Sequence, residues 1–176
     1  MEHPAEGRRV LKTFRLLPAQ LWANRAGSTT EVIGFEESAP LLAGVAPWRL
    51  SVASLEFPAE FSVLPGLERT FTPVGGRVRL SVEGRLHTVG DGEQLRFAGE
   101  DVVEITDLDR PCAAVNLMSR RVPGLPRVEA RTLGAGEATP SPGPVVWVNL
   151  ETGMGTFDLL EGPLGAGRAL GLFGPA

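Results

Sequence analysis

Short runs that alternate apolar with polar residues, cut apart by glycine and proline, constrain this chain more than any other feature. In WRLSVASL (48–55), Trp48, Leu50 and Val52 fall on one face of a strand, and Arg49, Ser51 and Ala53 on the other. The first face is plainly apolar. The second is small and polar with one long cation, which suits either a strand lining a polar cavity or a strand with one face in water. In RVRLSV (77–82), Val78, Leu80 and Val82 point inward while Arg77 and Arg79 point outward. Glu83-Gly84 and the run RLHTV then complete a hairpin signature. Pro65-Gly66 fits the central pair of a type II turn, because glycine accepts the positive φ at its second position. PCAAVNLMSRR (111–121) is apolar on both faces, as a central strand is.

Further short strands are expected at 10–17, 31–35, 69–74, 95–97, 102–108, 127–133, 145–150, 156–160 and 168–173. Residues 36–47 and 134–144 read as surface connections, and residues 1–9 as a flexible tail ahead of one β domain over 10–176. No stripe of period 3.6 is long enough for more than one short helix. Many short strands between turns imply an all-β, antiparallel sandwich or barrel, with a jelly roll favoured at this size.

The totals narrow the functional classes. A net charge of −4 disfavours nucleic-acid binding, which needs a positive footprint to release counterions. Lys12 is the only lysine, so basic charge is almost all arginine. The single cysteine, Cys112, rules out an internal disulfide and reads as a buried, inert thiol. No apolar run approaches membrane-spanning length and the first residues carry no signal-peptide pattern, so a soluble, cytoplasmic protein is expected, with no membrane partner.

The residues that need explaining are polar ones in apolar surroundings. Arg49 and Arg69 lie on expected strands, about 20 residues apart. A guanidinium there either completes a structural ion pair, with Glu31, Glu68 or Glu100, or binds an anion. On the ion-pair reading, Arg69→Ala should lower stability and ligand binding together. Asn116, in the middle of the central strand, needs hydrogen-bond partners from a bulge, a neighbouring strand or a ligand. Trp22, Asn24, Gly27, Thr29 and Glu31 form a polar, glycine-bearing loop. It either lines a site or is an ordinary loop whose Asn24 and Thr29 cap backbone groups. His87 stands alone in its strand and His3 is in the expected tail, so neither a Ser–His–acid triad nor a nucleotide fingerprint emerges.

Five blocks in order resemble the HutD/Ves family of the cupin superfamily. They are Trp22-x-Asn24-x-x-Gly27-x-Thr29-x-Glu31, Trp48-Arg49-Leu50-Ser51-x-Ala53, Phe61-Ser62-x-x-Pro65-Gly66-x-x-Arg69, Phe97-x-Gly99-Glu100 and Val115-Asn116-Leu117-Met118-x-Arg120-Arg121. They run across roughly residues 16–121. The sequence departs from the family pattern at Arg25 and Ala26, where glycines are usual. The resemblance implies a cupin-type antiparallel β-barrel or jelly roll, with two cupin-like units packed in one short chain. It also implies a role in histidine utilisation, as a modulator sensing a small carboxylate such as urocanate or formylglutamate.

Many cupins hold a metal through two or three histidines and a glutamate. This chain's two histidines do not supply that set, so no metal and no cofactor are expected. The expected ligand site comprises Trp22, Asn24, Thr29, Glu31, Arg49, Ser51, Arg69 and Asn116. In it, paired guanidiniums would meet a carboxylate, Trp22 would stack on a flat ligand, and the amides and hydroxyls would supply neutral bonds. Two alternatives stay open. One is a metal-independent hydrolase or isomerase on a formyl or imidazole compound, with Glu31 as acid/base, its pKa raised by burial. The other is a ligand-free interaction module. An exposed strand edge would serve a homodimer.

Overall fold

The computed structural model describes residues 7–134, 140, 143–144 and 146–175. Three antiparallel sheets hold nearly all of its regular secondary structure, as the alternating pattern predicts. The central one has six strands in the order β2-β3-β4-β11-β6-β9. These are β2 (Gln20–Leu21), β3 (Gly27–Ile33), β4 (Trp48–Leu55), β11 (Cys112–Arg120), β6 (Leu67–Val74) and β9 (Leu95–Ala98). The five-stranded sheet contains β1 (Arg9–Lys12), β14 (Leu159–Glu161), β13 (Val146–Asn149), β15 (Ala169–Phe173) and β12 (Glu129–Leu133), in that order. The four-stranded sheet runs β5 (Ala59–Glu60), β10 (Val103–Leu108), β7 (Val78–Val82) and β8 (Arg85–Val89). The one α-helix among the described residues, α1 (Phe35–Ser38), begins at the last residue of the strand expected at 31–35 and runs into the expected surface connection.

The central sheet serves two cores, one on each face. Trp48, Leu50 and Val52 of β4, with Val115 and Leu117 of β11, pack against Val146, Val148, Leu159, Leu170 and Leu172 of the five-stranded sheet. Ala53 and Leu55, with Phe71, Phe97 and Ala114, pack against Val78, Leu80, Val103 and Ile105 of the four-stranded sheet. Each fully buried side chain of this size contributes about 1.5–3 kcal/mol. β11 is therefore covered on both faces, which is why it reads as apolar throughout.

Turn chemistry agrees with local sequence. Gly66 has φ +83°, as a type II turn requires. Glu83 and Gly84 both have positive φ, 48° and 78°, matching the twist of the β7–β8 hairpin. At Gly99 no side chain fits, since a Cβ would run into the Leu64 carbonyl oxygen. Asp91 accepts hydrogen bonds from the Gly75 amide (3.0 Å) and Arg168 Nη2 (3.1 Å), tying the β8–β9 connection to the five-stranded sheet.

Several boundaries differ from those expected. The first strand stops at Lys12, and a 3₁₀ turn occupies Phe14–Leu16. Residues 1–6 of the expected tail, His3 among them, lie outside the described residues. Arg9 already belongs to β1, pairing with Glu161, and Arg8 donates to the Pro163 carbonyl at 3.1 Å. The strand expected at 156–160 begins at Leu159, because Phe157 takes φ +66° in a turn. Much of the expected loop at 134–144 also lies outside the described residues.

Candidate functional site

The sheet register builds the site. On β4, Arg49, Ser51 and Ala53 share the face opposite Trp48 and Leu50. β11 pairs with β4 and β6 so that Met118 stands between Arg49 and Arg69, directly opposite both. In the adjoining row Glu31, Ser51 and Asn116 lie side by side on β3, β4 and β11. These side chains form the floor of a cavity of about 900 Å³. Its walls come from the Pro18–Asn24 segment and from the stretch Glu60–Leu64, including Phe61 and Ser62. Trp22, Asn24, Thr29, Glu31, Arg49, Ser51, Arg69 and Asn116, the eight expected site residues, all line this one space. Phe61, Ser62, Leu55 and Met118 line it too, although none was expected to. Phe61 and Met118 sit inside the family blocks, which is the signal that could have found them.

The two arginines differ. Arg49 is half-buried and paired, with Nε donating to Glu31 Oε1 at 2.8 Å while Nη1 lies 4.0 Å from Met118 Sδ. Arg69 is only 7 % exposed, and among the described residues it meets no carboxylate. Its Nη1 donates to the Ser62 carbonyl at 3.0 Å, and its Nε is buried without a partner. Its charge lies 5.0 Å from the Phe61 ring centre and 5.3 Å from that of Phe97. Burial, and then the neighbouring Arg49 charge, pull its pKa down to about 10. The other expected ion-pair partners are engaged elsewhere: Glu68 faces Arg127 at 3.5 Å, and Glu100 binds Arg121. An ion-pair role therefore holds for Arg49 with Glu31 and not for Arg69.

The segment from Trp22 to Glu31 is a hairpin and not a long loop, since β3 begins at Gly27. Its residues read as loop because Ser28, Thr29 and Glu31 are polar, and the strand turns Thr29 and Glu31 to the cavity. Trp22 Nε1 donates to Thr29 Oγ1 at 2.8 Å, and the Trp22 ring closes over Gly27, where a Cβ would strike the Ser54 carbonyl. Asn24 Oδ1 accepts from the Ala26 amide at 3.0 Å, so it caps the turn. Arg25 takes φ +58°, the left-handed conformation that a glycine would occupy without strain. The departure from the family's glycines thus leaves this turn intact.

Asn116 is 8 % exposed, in a regular part of β11 without a bulge, and its side chain makes no hydrogen bond to another described group. Glu31 is open to solvent, its side chain 52 % exposed, so the burial that would favour an acid/base role is missing. His87 is half-buried on β8, across from Leu80. Cys112 is a free, half-buried thiol whose pKa burial raises, with Asp109 and Asp91 adding to it. Among the described residues no three His, Cys, Asp or Glu side chains gather into a metal-binding group. No helix there is long and apolar enough to cross a membrane.

The HutD family model matches residues 15–168. The chain belongs to the HutD family. Protein Ves of Cronobacter sakazakii is 38 % identical over 128 residues, covering 69 % of this chain and 67 % of that protein. Protein Ves of Citrobacter koseri is 37 % identical over 111 residues, covering 61 % and 56 %. The chain thus spans roughly half to two thirds of the curated relatives it matches. Two solved structures share the fold. HutD from Pseudomonas fluorescens SBW25 matches with a TM-score of 0.66 and 20 % identity, over 96 % of this chain and 94 % of that one. A conserved protein of unknown function from Pseudomonas aeruginosa PAO1 matches with a TM-score of 0.66 and 22 % identity, over 96 % and 100 %.

Proposed function

We propose that this HutD-family chain is a metal-free binding protein that holds a small carboxylate metabolite, of the urocanate or formylglutamate class, and thereby modulates histidine utilisation in the cytoplasm. Arg69 carries this reading. A buried guanidinium without a carboxylate is costly, and a cavity that leaves one so is suited to a ligand that supplies the negative charge. Arg49 stands across Met118, its charge already met by Glu31. Asn116 and Ser51 offer neutral hydrogen bonds, and Phe61 and Trp22 add apolar surface, the usual mixture of a small-molecule site. The histidine-utilisation role rests on family membership. Nucleic acid is not among the proposed partners, given the net charge of −4.

An interaction module without a ligand would have its cavity filled and its arginines internally paired, which is opposite to what Arg69 offers. A catalytic role for Glu31 draws no support from an exposed, ion-paired carboxylate.

Calorimetry and thermal-shift measurements with urocanate and formylglutamate test the proposal. Heat of binding and a raised melting temperature with at least one of them are expected, and both should vanish in Arg69→Met. Absence of any response to either compound at millimolar concentration would sink it.

A further inference from the structure

The cavity's charge balance says more about the ligand than that it is anionic. Four charged side chains line it: Glu31, Arg49, Glu60 and Arg69. Glu31 and Arg49 neutralise one another at 2.8 Å. That leaves Arg69 as the one buried cation among the described residues of the wall, with Glu60 exposed nearby as a free carboxylate. The remaining polar wall, from Ser51, Asn116 and Thr29, is uncharged.

We propose that the site selects a monocarboxylate and discriminates against dicarboxylates, so that of the two compounds named above it takes urocanate and rejects formylglutamate, which carries two carboxylates, and that Glu31 is the residue that sets this choice. The inference rests on the anion-binding reading above. One carboxylate meets Arg69 and completes its charge. A second would face Glu60, or the Glu31 that already occupies Arg49, or the apolar stretch of Ala53, Leu55 and Phe61. The first two places set like charges together, and the third strips water from a charge with nothing in return. Repulsion built against the wrong ligand is a common route to specificity. Glu31 is also suited to accept an N–H or O–H from the far end of a monocarboxylate, because its Oε2 makes no bond to a described side chain.

Glu31 should therefore act as a removable lock. Neutralising it frees the Arg49 guanidinium from its partner. The site would then hold two unpaired cations on either side of Met118, and a dicarboxylate would find a seat for each end. Because Glu31 is exposed at the cavity, Glu31→Gln should leave the fold intact, which an unchanged cooperative melting transition would verify.

The experiment compares matched pairs by calorimetry: pentanoate with glutarate, and cinnamate with 4-carboxycinnamate. In the wild type the monocarboxylate of a pair should bind about tenfold or more tightly than its dicarboxylate partner. In Glu31→Gln the ratio should fall to near unity or reverse, with dicarboxylate affinity rising. Equal or tighter dicarboxylate binding by the wild type would overturn the inference while leaving the anion site standing. An unchanged ratio in Glu31→Gln would remove Glu31 from the role. If no carboxylate of either pair binds, the anion-binding reading fails and this inference falls with it.

Discussion

Replacing Arg69 by methionine should leave the stability of the unliganded protein close to that of the wild type while abolishing carboxylate binding. The fall of its pKa to about 10, caused first by burial and then by Arg49, means that folding opposes the charge. Relative to an ordinary arginine this is two to three powers of ten in proton affinity, or about 3 kcal/mol. Against that stand the faces of Phe61 and Phe97, worth about 2 kcal/mol together for a desolvated cation. The bond to the Ser62 carbonyl adds about 1 kcal/mol. The opposing contributions nearly cancel, so Arg69→Met should change stability by no more than about 1 kcal/mol, because the unbranched methionine retraces the aliphatic stem and needs no counter-charge. In a chain of 176 residues that keeps the melting temperature within about 2–4 °C of the wild type. Sequence reasoning pointed instead to a loss of stability, because it supposed a buried carboxylate partner that Arg69 lacks among the described residues. Thermal and urea unfolding without ligand decide the matter. A melting temperature lowered by several degrees in Arg69→Met, and restored in Arg69→Lys, would show that the cation is structural and would refute the reasoning. A lowered pKa on a base also means that the unfolded chain holds the extra proton above about pH 10. The wild type should therefore gain stability as pH rises through that window, and Arg69→Met should not.

Other outcomes follow from the same geometry. Gly99→Ala should cost about 3 kcal/mol or more, or prevent folding, because its Cβ meets the Leu64 backbone and no flexible side chain can move aside; soluble yield and urea midpoints report this. Arg25→Gly should stabilise by about 0.5–1 kcal/mol, by relieving a residue at φ +58°, and should leave ligand affinity unchanged in calorimetry. Asp91 is pushed up by burial but held lower on balance by Arg168 and the Gly75 amide, so its contribution is present above the ordinary carboxylate range and lost as pH falls through its depressed pKa. Asp91→Asn should remove about 0.5–1 kcal/mol at neutral pH and flatten that acid limb, as followed by melting temperature between about pH 2 and 7.

How much of this was legible depends on what each residue's neighbours had to supply. β4, β11 and the β7–β8 hairpin were readable because burial on one or both faces writes itself into alternation, and because Glu83-Gly84 permits one kind of turn. β3 was largely missed for the opposite reason. The face of β3 that carries Thr29 and Glu31 lines a polar cavity, so these residues, with Ser28 on the other face, carry the composition of a loop. Phe157 broke an expected strand through a backbone conformation that non-glycine residues seldom take, which local sequence does not announce. All eight expected site residues line one cavity, yet the site's floor was not legible. That Met118 stands between Arg49 and Arg69 is a fact of register across three strands, and no local pattern encodes it.

The isolation of Arg69 is a consequence of strand parity. Its sequence neighbour Glu68 cannot turn back to neutralise it, because successive residues of β6 point to opposite faces. Glu68 is accordingly directed to the other side of the sheet, where it faces Arg127. Glu100 lies past the tight Gly99 crossing and is taken by Arg121. Glu31 is on the right face but three strands away, with Arg49 between, and it stops there. Glu68, Glu100 and Glu31 are thus kept off Arg69 by the geometry that builds the central sheet, and Glu60, at the exposed end of β5, forms no ion pair with it. A sheet with one face in each of two cores has little freedom to correct such a vacancy by side-chain movement alone. The buried cation has no carboxylate partner among the described residues, and that is why a small anion from solution is the partner best placed to complete it.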